Sequence, residues 1–185
     1  MDRLTPESSV LVVVDVQERL AAAMPQEQMA RVVKNVGILL EAAKLLKVPV
    51  LVSEQYPKGL GATVAALLTK LREAGITPLA KIEFSACDNA GFVRALDVTS
   101  PRTAIVVGME THVCVFQTAR DLVRRGYATH VVADAVASRH EDSREIGLSL
   151  CQRAGAVVTT TEAVAFDWLR VAGTDDFKVI SALIR

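Results

Sequence analysis

The sequence has no excess of either charge and no apolar run long enough to cross a membrane. Its 21 Lys and Arg residues balance 21 Asp and Glu residues, and the basic residues are scattered along the chain. Nucleic acids and anionic membrane surfaces are normally bound through a clustered basic patch, and a membrane span needs roughly 18 apolar residues in a row. We therefore expect neither nucleic acid nor a membrane as a partner.

Cysteine is also scarce, with three residues, Cys87, Cys114 and Cys151, at unrelated spacings. Such a set does not form a disulfide framework. The first residues, MDRLTPESS, lack the basic and apolar regions of a secretory signal peptide. The prediction from both features is a reduced, cytoplasmic protein.

Several signatures of nucleotide and metal chemistry are missing as well. No glycine-rich turn follows the first apolar run, and there is no GxxxxGK[ST], GxSxG or CxxC stretch. Gln17 stands where a phosphatase-like site would place a second Asp. The histidines, His112, His130 and His140, are not at paired ligand spacings. We expect no cofactor.

Short apolar runs alternate with helical patterns over the whole chain. The runs are 10–16, 48–53, 78–82, 103–108, 128–134 and 156–160. Strands of this length separated by helices predict right-handed βαβ crossovers. The predicted fold is therefore α/β, a doubly wound, mostly parallel six-stranded sheet with helices on both faces, forming one domain over residues 1–185. The apolar C-terminal segment, 174–185, could form an oligomer interface or dock on its own domain.

Three reactive side chains follow strands of this predicted sheet: Asp15 after the first, Lys81 after the third and Cys114 after the fourth. Taken singly, Asp15 would be a turn former, Lys81 a solvated amine and Cys114 a small buried thiol. In doubly wound sheets, however, the carboxyl ends of the strands border the ligand crevice. Together the three predict a nucleophile, with the helix dipole and Lys81 lowering the pKa of the Cys114 thiol and Asp15 accepting its proton.

Three motifs in this order resemble the isochorismatase-like cysteine hydrolases, a superfamily that includes nicotinamidases and N-carbamoylsarcosine amidases. The motifs are VLVVVDVQ with Asp15, the K-x-x-F-S stretch at 81–85 and G-x-E-T-x-x-C at 108–114. The resemblance extends to about residue 168. It implies that Cys114 is the nucleophile, Asp15 the proton carrier and Lys81 the cation that holds both. It also implies a cis peptide at Met109–Glu110 and an oxyanion hole formed by the backbone N–H groups of Glu110 and Cys114.

One departure from the family pattern narrows the expected chemistry. Metal-using nicotinamidases carry an Asp-x-His pair after the second strand, where this chain reads SEQYPKGLG without a histidine. We therefore expect no bound metal, and neither nicotinamidase nor true isochorismatase activity is favoured. The predicted reaction is cysteine hydrolysis of a small amide, carbamoyl or related carbonyl compound through a thioester.

Predictions for the pocket and the assembly are less direct. Gln17, Phe84 and Phe116 are predicted to bind substrate, although the two phenylalanines could equally belong to the core. The loop 53–61 is expected to set the shape of the pocket. The resemblance implies a homo-oligomer that acts on a small molecule. The alternative hypothesis is a non-catalytic scaffold or a thiol redox sensor that keeps the hydrolase fold.

Overall fold

The protein is described by a computed structural model that covers residues 3–185. Six strands form one parallel sheet in the order β3-β2-β1-β4-β5-β6. The strands are β1 (Ser9–Val14), β2 (Val50–Gln55), β3 (Leu79–Lys81), β4 (Thr103–Met109), β5 (Ala128–Ala137) and β6 (Val157–Thr159). The predicted doubly wound α/β sheet is confirmed. Its winding reverses between β1 and β4, where such folds open a ligand crevice.

Helices cover both faces of the sheet. They are α1 (Glu18–Ala22), α2 (Gln26–Leu46), α3 (Pro57–Leu60), α4 (Ala65–Glu73), α5 (Ala90–Thr99), α6 (Phe116–Arg124), α7 (Glu141–Arg153), α8 (Thr161–Leu169) and α9 (Asp175–Ile184). Two segments differ from the prediction. The predicted loop 53–61 contains the end of β2 and the short α3, and β5 continues to Ala137. No helix within residues 3–185 is both long and apolar enough to cross a bilayer.

The central strands are buried on both faces, and their side chains alternate between two cores. In β1, Leu11 and Val13 pack with α2, α4, α8 and α9, whereas Val10, Val12 and Val14 pack with α5, α6 and α7. The alternation follows from the two-residue period of a strand. A continuous valine run therefore supplies both cores at once, as is typical of a parallel sheet.

The C-terminal helix α9 docks on its own domain. Phe177, Ile180 and Ile184 pack against the core on the α2 side of the sheet. Val179 and Leu183 remain exposed on the opposite side of the helix. The helix therefore contributes to the core, and its outer face is what remains for the predicted oligomer interface.

Candidate active site

The carboxyl ends of β1 and β3 bring an acid and an amine into direct contact. Lys81 Nζ lies 2.7 Å from Asp15 Oδ2, and both side chains are fully buried. Asp15 directly follows β1 and has a left-handed φ of 52°, so the chain turns sharply there. Because β3 and β1 flank β2 in the sheet, the ends of two strands 66 residues apart in sequence become neighbours.

The end of β2, which lies between them, completes this buried polar cluster. Ser53 Oγ donates to Asp15 Oδ1 at 2.7 Å, and Lys81 Nζ donates to Gln55 Oε1 at 2.7 Å. The ammonium also donates to the carbonyls of Glu83 and Phe84 at 3.1 and 3.2 Å. Burying two charges is costly unless their remaining hydrogen-bonding groups are satisfied. Here both charges are paired and hydrogen-bonded, which makes the burial tolerable.

Ser53 and Gln55 were not predicted as members of the site. The signal available in the sequence was their spacing, because residues two apart on a strand share a face. Gln55 was missed because the predicted second strand ended at residue 53, whereas β2 continues to Gln55.

The third predicted residue, Cys114, lies in the segment that follows β4, which we call the cysteine turn (residues 110–115). A cis peptide joins Met109 to Glu110, and Thr111–Val115 forms a π-helical turn that leads into α6. The carbonyl of Glu110 accepts hydrogen bonds from the N–H groups of Val113 and Val115 at 3.1 and 3.2 Å. The turn is thereby closed around Cys114, whose residue is 6% exposed.

The thiol of Cys114 is protonated at neutral pH. Burial, followed by the negative charge of Asp15, raises its pKa to about 12, and the opposing effect of Lys81 is smaller. The prediction of a lowered thiol pKa is therefore wrong. The helix-dipole argument failed because it neglected the loss of solvation in a buried turn. Any attack by this sulfur requires that its proton be removed during the reaction.

A close approach between β4 and β1 brings the cysteine turn towards Asp15. At Gly108, which has a φ of 119°, an added Cβ would lie 1.9 Å from the carbonyl oxygen of Val14. Only glycine fits such a contact. Asp15 directly follows Val14, and the cysteine turn begins two residues after Gly108. The tight packing of the two strands therefore keeps Asp15 and the cysteine turn together.

The residues predicted to contact substrate occupy different environments. Gln17 is completely buried, and its amide is used in bonds to backbone groups of Gln55 and Gly61 at 2.7–3.0 Å. It supports the wall of the site rather than offering a free polar group. Phe84 is 55% exposed beside the carbonyl that Lys81 binds. Phe116 is partly buried, with the guanidinium of Arg120 5.5 Å from the centre of its ring.

Two further side chains hold the cysteine turn from the β5 side. Arg139 donates from its backbone N–H and from Nε to Glu110 Oε1, at 3.2 and 2.9 Å. Ser138 Oγ lies 3.0 Å from Nδ1 of His112. These contacts could not be predicted from local patterns, because they depend on β5 and β4 being neighbours in the sheet. No cluster of three or more His, Cys, Asp or Glu side chains in residues 3–185 is arranged as a metal site.

This three-layer parallel architecture, with polar groups gathered where the winding reverses, is that of an isochorismatase-like α/β protein. A family model described as the isochorismatase domain matches residues 9–163. The chain therefore belongs to the isochorismatase family, and the predicted family resemblance is confirmed. Membership supports hydrolase activity in general terms.

Comparison with individual proteins supports the same assignment. The secreted isochorismatase effector Isc1 of Phytophthora sojae is 38% identical over 188 residues, covering 100% of this chain and 88% of its own. The structure of MAR1 ribonuclease from Caenorhabditis elegans has 35% identity and a TM-score of 0.86, covering 99% and 92% of the two chains. The YcaC gene product of Escherichia coli, an octameric hydrolase of unknown specificity, shares the fold at 24% identity, with a TM-score of 0.89 and coverage of 99% and 91%.

Proposed function

We propose that the protein is a cysteine hydrolase that cleaves a small amide, carbamoyl or related carbonyl compound through a thioester on Cys114. The observation that carries the proposal is the buried ion pair between Lys81 Nζ and Asp15 Oδ2 at 2.7 Å, placed where its carboxylate acts on the Cys114 thiol. A buried acid, amine and thiol at the switch point of the sheet supply a base, a counter-ion and a nucleophile.

In the first half of the reaction, Asp15 acts as a general base. It accepts the thiol proton as Cys114 Sγ forms a bond to the substrate carbonyl carbon. The raised pKa of the resting thiol requires this coupled transfer, because almost no thiolate is present beforehand. Lys81 stays bound to Asp15 and to three other oxygens, and so keeps the carboxylate in place.

The negative oxygen of the tetrahedral intermediate requires donors close to Cys114. We assign this role to the backbone N–H groups of Glu110 and Cys114, which both belong to the cysteine turn. Loss of one such donor typically costs about 100-fold or more in rate. The protonated Asp15 then gives its proton to the leaving amine as the carbon–nitrogen bond breaks.

The second half of the reaction regenerates the enzyme. Asp15 takes a proton from a water molecule as the water oxygen attacks the thioester carbon. The carbon–sulfur bond breaks, the acid product leaves, and the proton on Asp15 returns to Cys114 Sγ. Protons and electron pairs balance over the cycle, so no redox partner is needed.

The buried state of Cys114 argues against the redox-sensor alternative. Sensor cysteines are exposed and have thiolate character, whereas this residue is 6% exposed and its pKa is raised to about 12. A non-catalytic scaffold would retain the fold without needing the buried pair of Asp15 and Lys81. A turnover test separates these two possibilities directly.

The name of one similar structure, MAR1 ribonuclease, introduces RNA as a substrate to be tested. RNA-binding surfaces are usually basic, whereas this chain has a formal net charge of zero. We therefore propose a small-molecule substrate and no nucleic-acid partner.

A homo-oligomer is also proposed, with the octameric E. coli relative as support. A cytoplasmic location stays a prediction, since the P. sojae relative is named as secreted.

The test is a substrate screen with the wild type, Cys114→Ser and Cys87→Ala. Small amides, carbamoyl compounds, thioesters and a single-stranded RNA are incubated with each protein, and rapidly quenched samples are analysed by intact mass. We expect turnover and a trapped acyl group on Cys114 in the wild type and in Cys87→Ala. In the wild type, the Cys87 thiol faces the carbonyl of Thr118. Absence of both turnover and adduct with every carbonyl compound would refute the proposal, and RNA cleavage lost in Cys114→Ser would replace it.

A further inference from the structure

Helix α7 lies directly against the cysteine turn at a glycine. A Cβ built on Gly147 would be 2.7 Å from the backbone nitrogen of His112 and from the carbonyl carbon of Thr111. It would also be 2.8 Å from His112 Cα. All three atoms belong to the backbone, so no side-chain rotation relieves the overlap. The missing side chain at Gly147 is what permits this distance between the helix and the turn.

A second helical glycine shows that this contact is specific to the site. Gly37 lies in α2, and a Cβ there would meet only side-chain atoms, Lys70 Cε at 3.7 Å and Leu67 Cδ2 at 4.0 Å. These are ordinary van der Waals distances. An alanine therefore fits at Gly37 and does not fit at Gly147, although both residues are helical.

The same side of the turn is held by hydrogen bonds that start at the loop before α7. Ser138 Oγ pairs with His112 Nδ1 at 3.0 Å, and the Ser138 N–H donates to Gln28 Oε1 at 3.1 Å. Gln28 Nε2 in turn donates to Oε2 of Glu141, the first residue of α7, at 2.7 Å. Helices α2 and α7 are thus linked to each other and to the ring of His112, two residues before Cys114.

We propose that Gly147 is a positioning residue, which sets the distance between α7 and the cysteine turn and so aligns Cys114 with Asp15. Ser138 assists by holding the His112 ring. The inference rests on the proposed function, and it names parts of the machinery that do not touch the substrate. A Cβ at 2.7 Å must move by about 0.8 Å to reach the normal contact distance of roughly 3.5 Å. A shift of about 1 Å at a reacting group can cost on the order of 100-fold in rate.

The experiment compares Gly147→Ala with Gly37→Ala in the full chain. Folding is measured by circular dichroism and urea unfolding. The kcat and KM are measured with the substrate found in the screen. The pH profile of iodoacetamide alkylation at Cys114 is followed by mass spectrometry, which needs no turnover. A defect that is only structural would lower the folded fraction and leave the kcat and the alkylation profile of the folded protein unchanged.

For folded Gly147→Ala we expect about a 100-fold lower kcat, a KM within about threefold of the wild type, and an alkylation profile displaced along the pH axis. Gly37→Ala should match the wild type in all three. Wild-type values of kcat and alkylation in folded Gly147→Ala would overturn the proposal. If Gly147→Ala does not fold, Ser138→Ala is measured instead. We expect the kcat of Ser138→Ala to fall at least about threefold, and wild-type behaviour of this variant would overturn the proposal. If the wild type turns over nothing, the proposed function fails, and the alkylation profile still tests the positioning.

Discussion

Replacing Lys81 with methionine should destabilise the protein strongly, because it removes the cation from a buried pair and leaves the anion. The methionine side chain fills similar space, so the effect reports the charge rather than a cavity. Asp15 would keep the hydrogen bond from Ser53 at 2.7 Å but lose its only buried ion-pair partner within residues 3–185. Gln55 and two backbone carbonyls would also lose their donor.

The size of the effect follows from the burial. Removing one partner of a fully buried pair typically costs about 3–5 kcal/mol. For a chain of this size, each kcal/mol lowers Tm by roughly 2–4 °C, so the expected fall in Tm is about 6–20 °C. A matched control is Lys178→Met, which removes an exposed lysine paired with Asp175 at 2.9 Å. Such surface pairs contribute about 1 kcal/mol or less.

The assay is urea unfolding of Lys81→Met, Lys178→Met and the double variant Asp15→Asn/Lys81→Met. The double variant removes both buried charges, so it should be more stable than Lys81→Met alone. All catalytic turnover should be lost in both variants that lack Lys81. The reasoning would be refuted by a Lys81→Met protein whose free energy of unfolding lies within about 1 kcal/mol of the wild type.

Four other predictions address the thiols and the wall of the site. Cys114→Ser should lower turnover at least about 1,000-fold while leaving the unfolding curve close to that of the wild type; retained turnover would exclude the nucleophile. Asp15→Asn should move the pH profile of iodoacetamide alkylation of Cys114 to lower pH, because the Asp15 charge raises the pKa of that thiol; a profile moved to higher pH would contradict this. Burial raises the pKa of Cys87, Cys114 and Cys151 to about 12 each. Each thiol keeps its proton in the folded state while the unfolded chain loses it above roughly pH 9, so stability should fall between about pH 9 and 12. The slope should be roughly 1.4 kcal/mol per pH unit shallower in Cys151→Ala, and an equal slope would reject the assignment. Gln17→Leu should cost about 2–4 kcal/mol in urea unfolding by leaving three backbone groups without partners; an unchanged midpoint would contradict the supporting role of Gln17.

Local patterns were sufficient for most of the elements and for the position of Asp15, Lys81 and Cys114 after their strands. The valine run of β1 and the apolar run of β4 predict strands buried on both faces, because their side chains alternate without a polar face. The alternation with helices predicts a parallel sheet, and a parallel sheet places Asp15, Lys81 and Cys114 at one edge. These inferences need only the two-residue period of a strand and the handedness of βαβ units.

Such patterns could not predict the electrostatic environment of the site. Position at the start of a helix predicted a lowered pKa for Cys114, whereas burial and the charge of Asp15 raise it. The hydrogen bonds of Gln17 were equally hard to predict, since its amide is used by backbone groups of Gln55 and Gly61, 38 and 44 residues away. Desolvation and hydrogen bonding depend on which distant segments surround a group. A single stretch of sequence does not show which segments these are.

By itself, the amino-acid sequence determined the class of fold, the end of the sheet where the polar groups collect and the identity of the candidate nucleophile. Only the tertiary structure decided that Lys81 meets Asp15 at 2.7 Å with Ser53 and Gln55 completing the cluster. It also decided that Gly147 lies against the cysteine turn. The physical reason is that periodicity and turn chemistry act between near neighbours in the chain, whereas strand order, helix packing and loss of solvent arise between segments tens of residues apart.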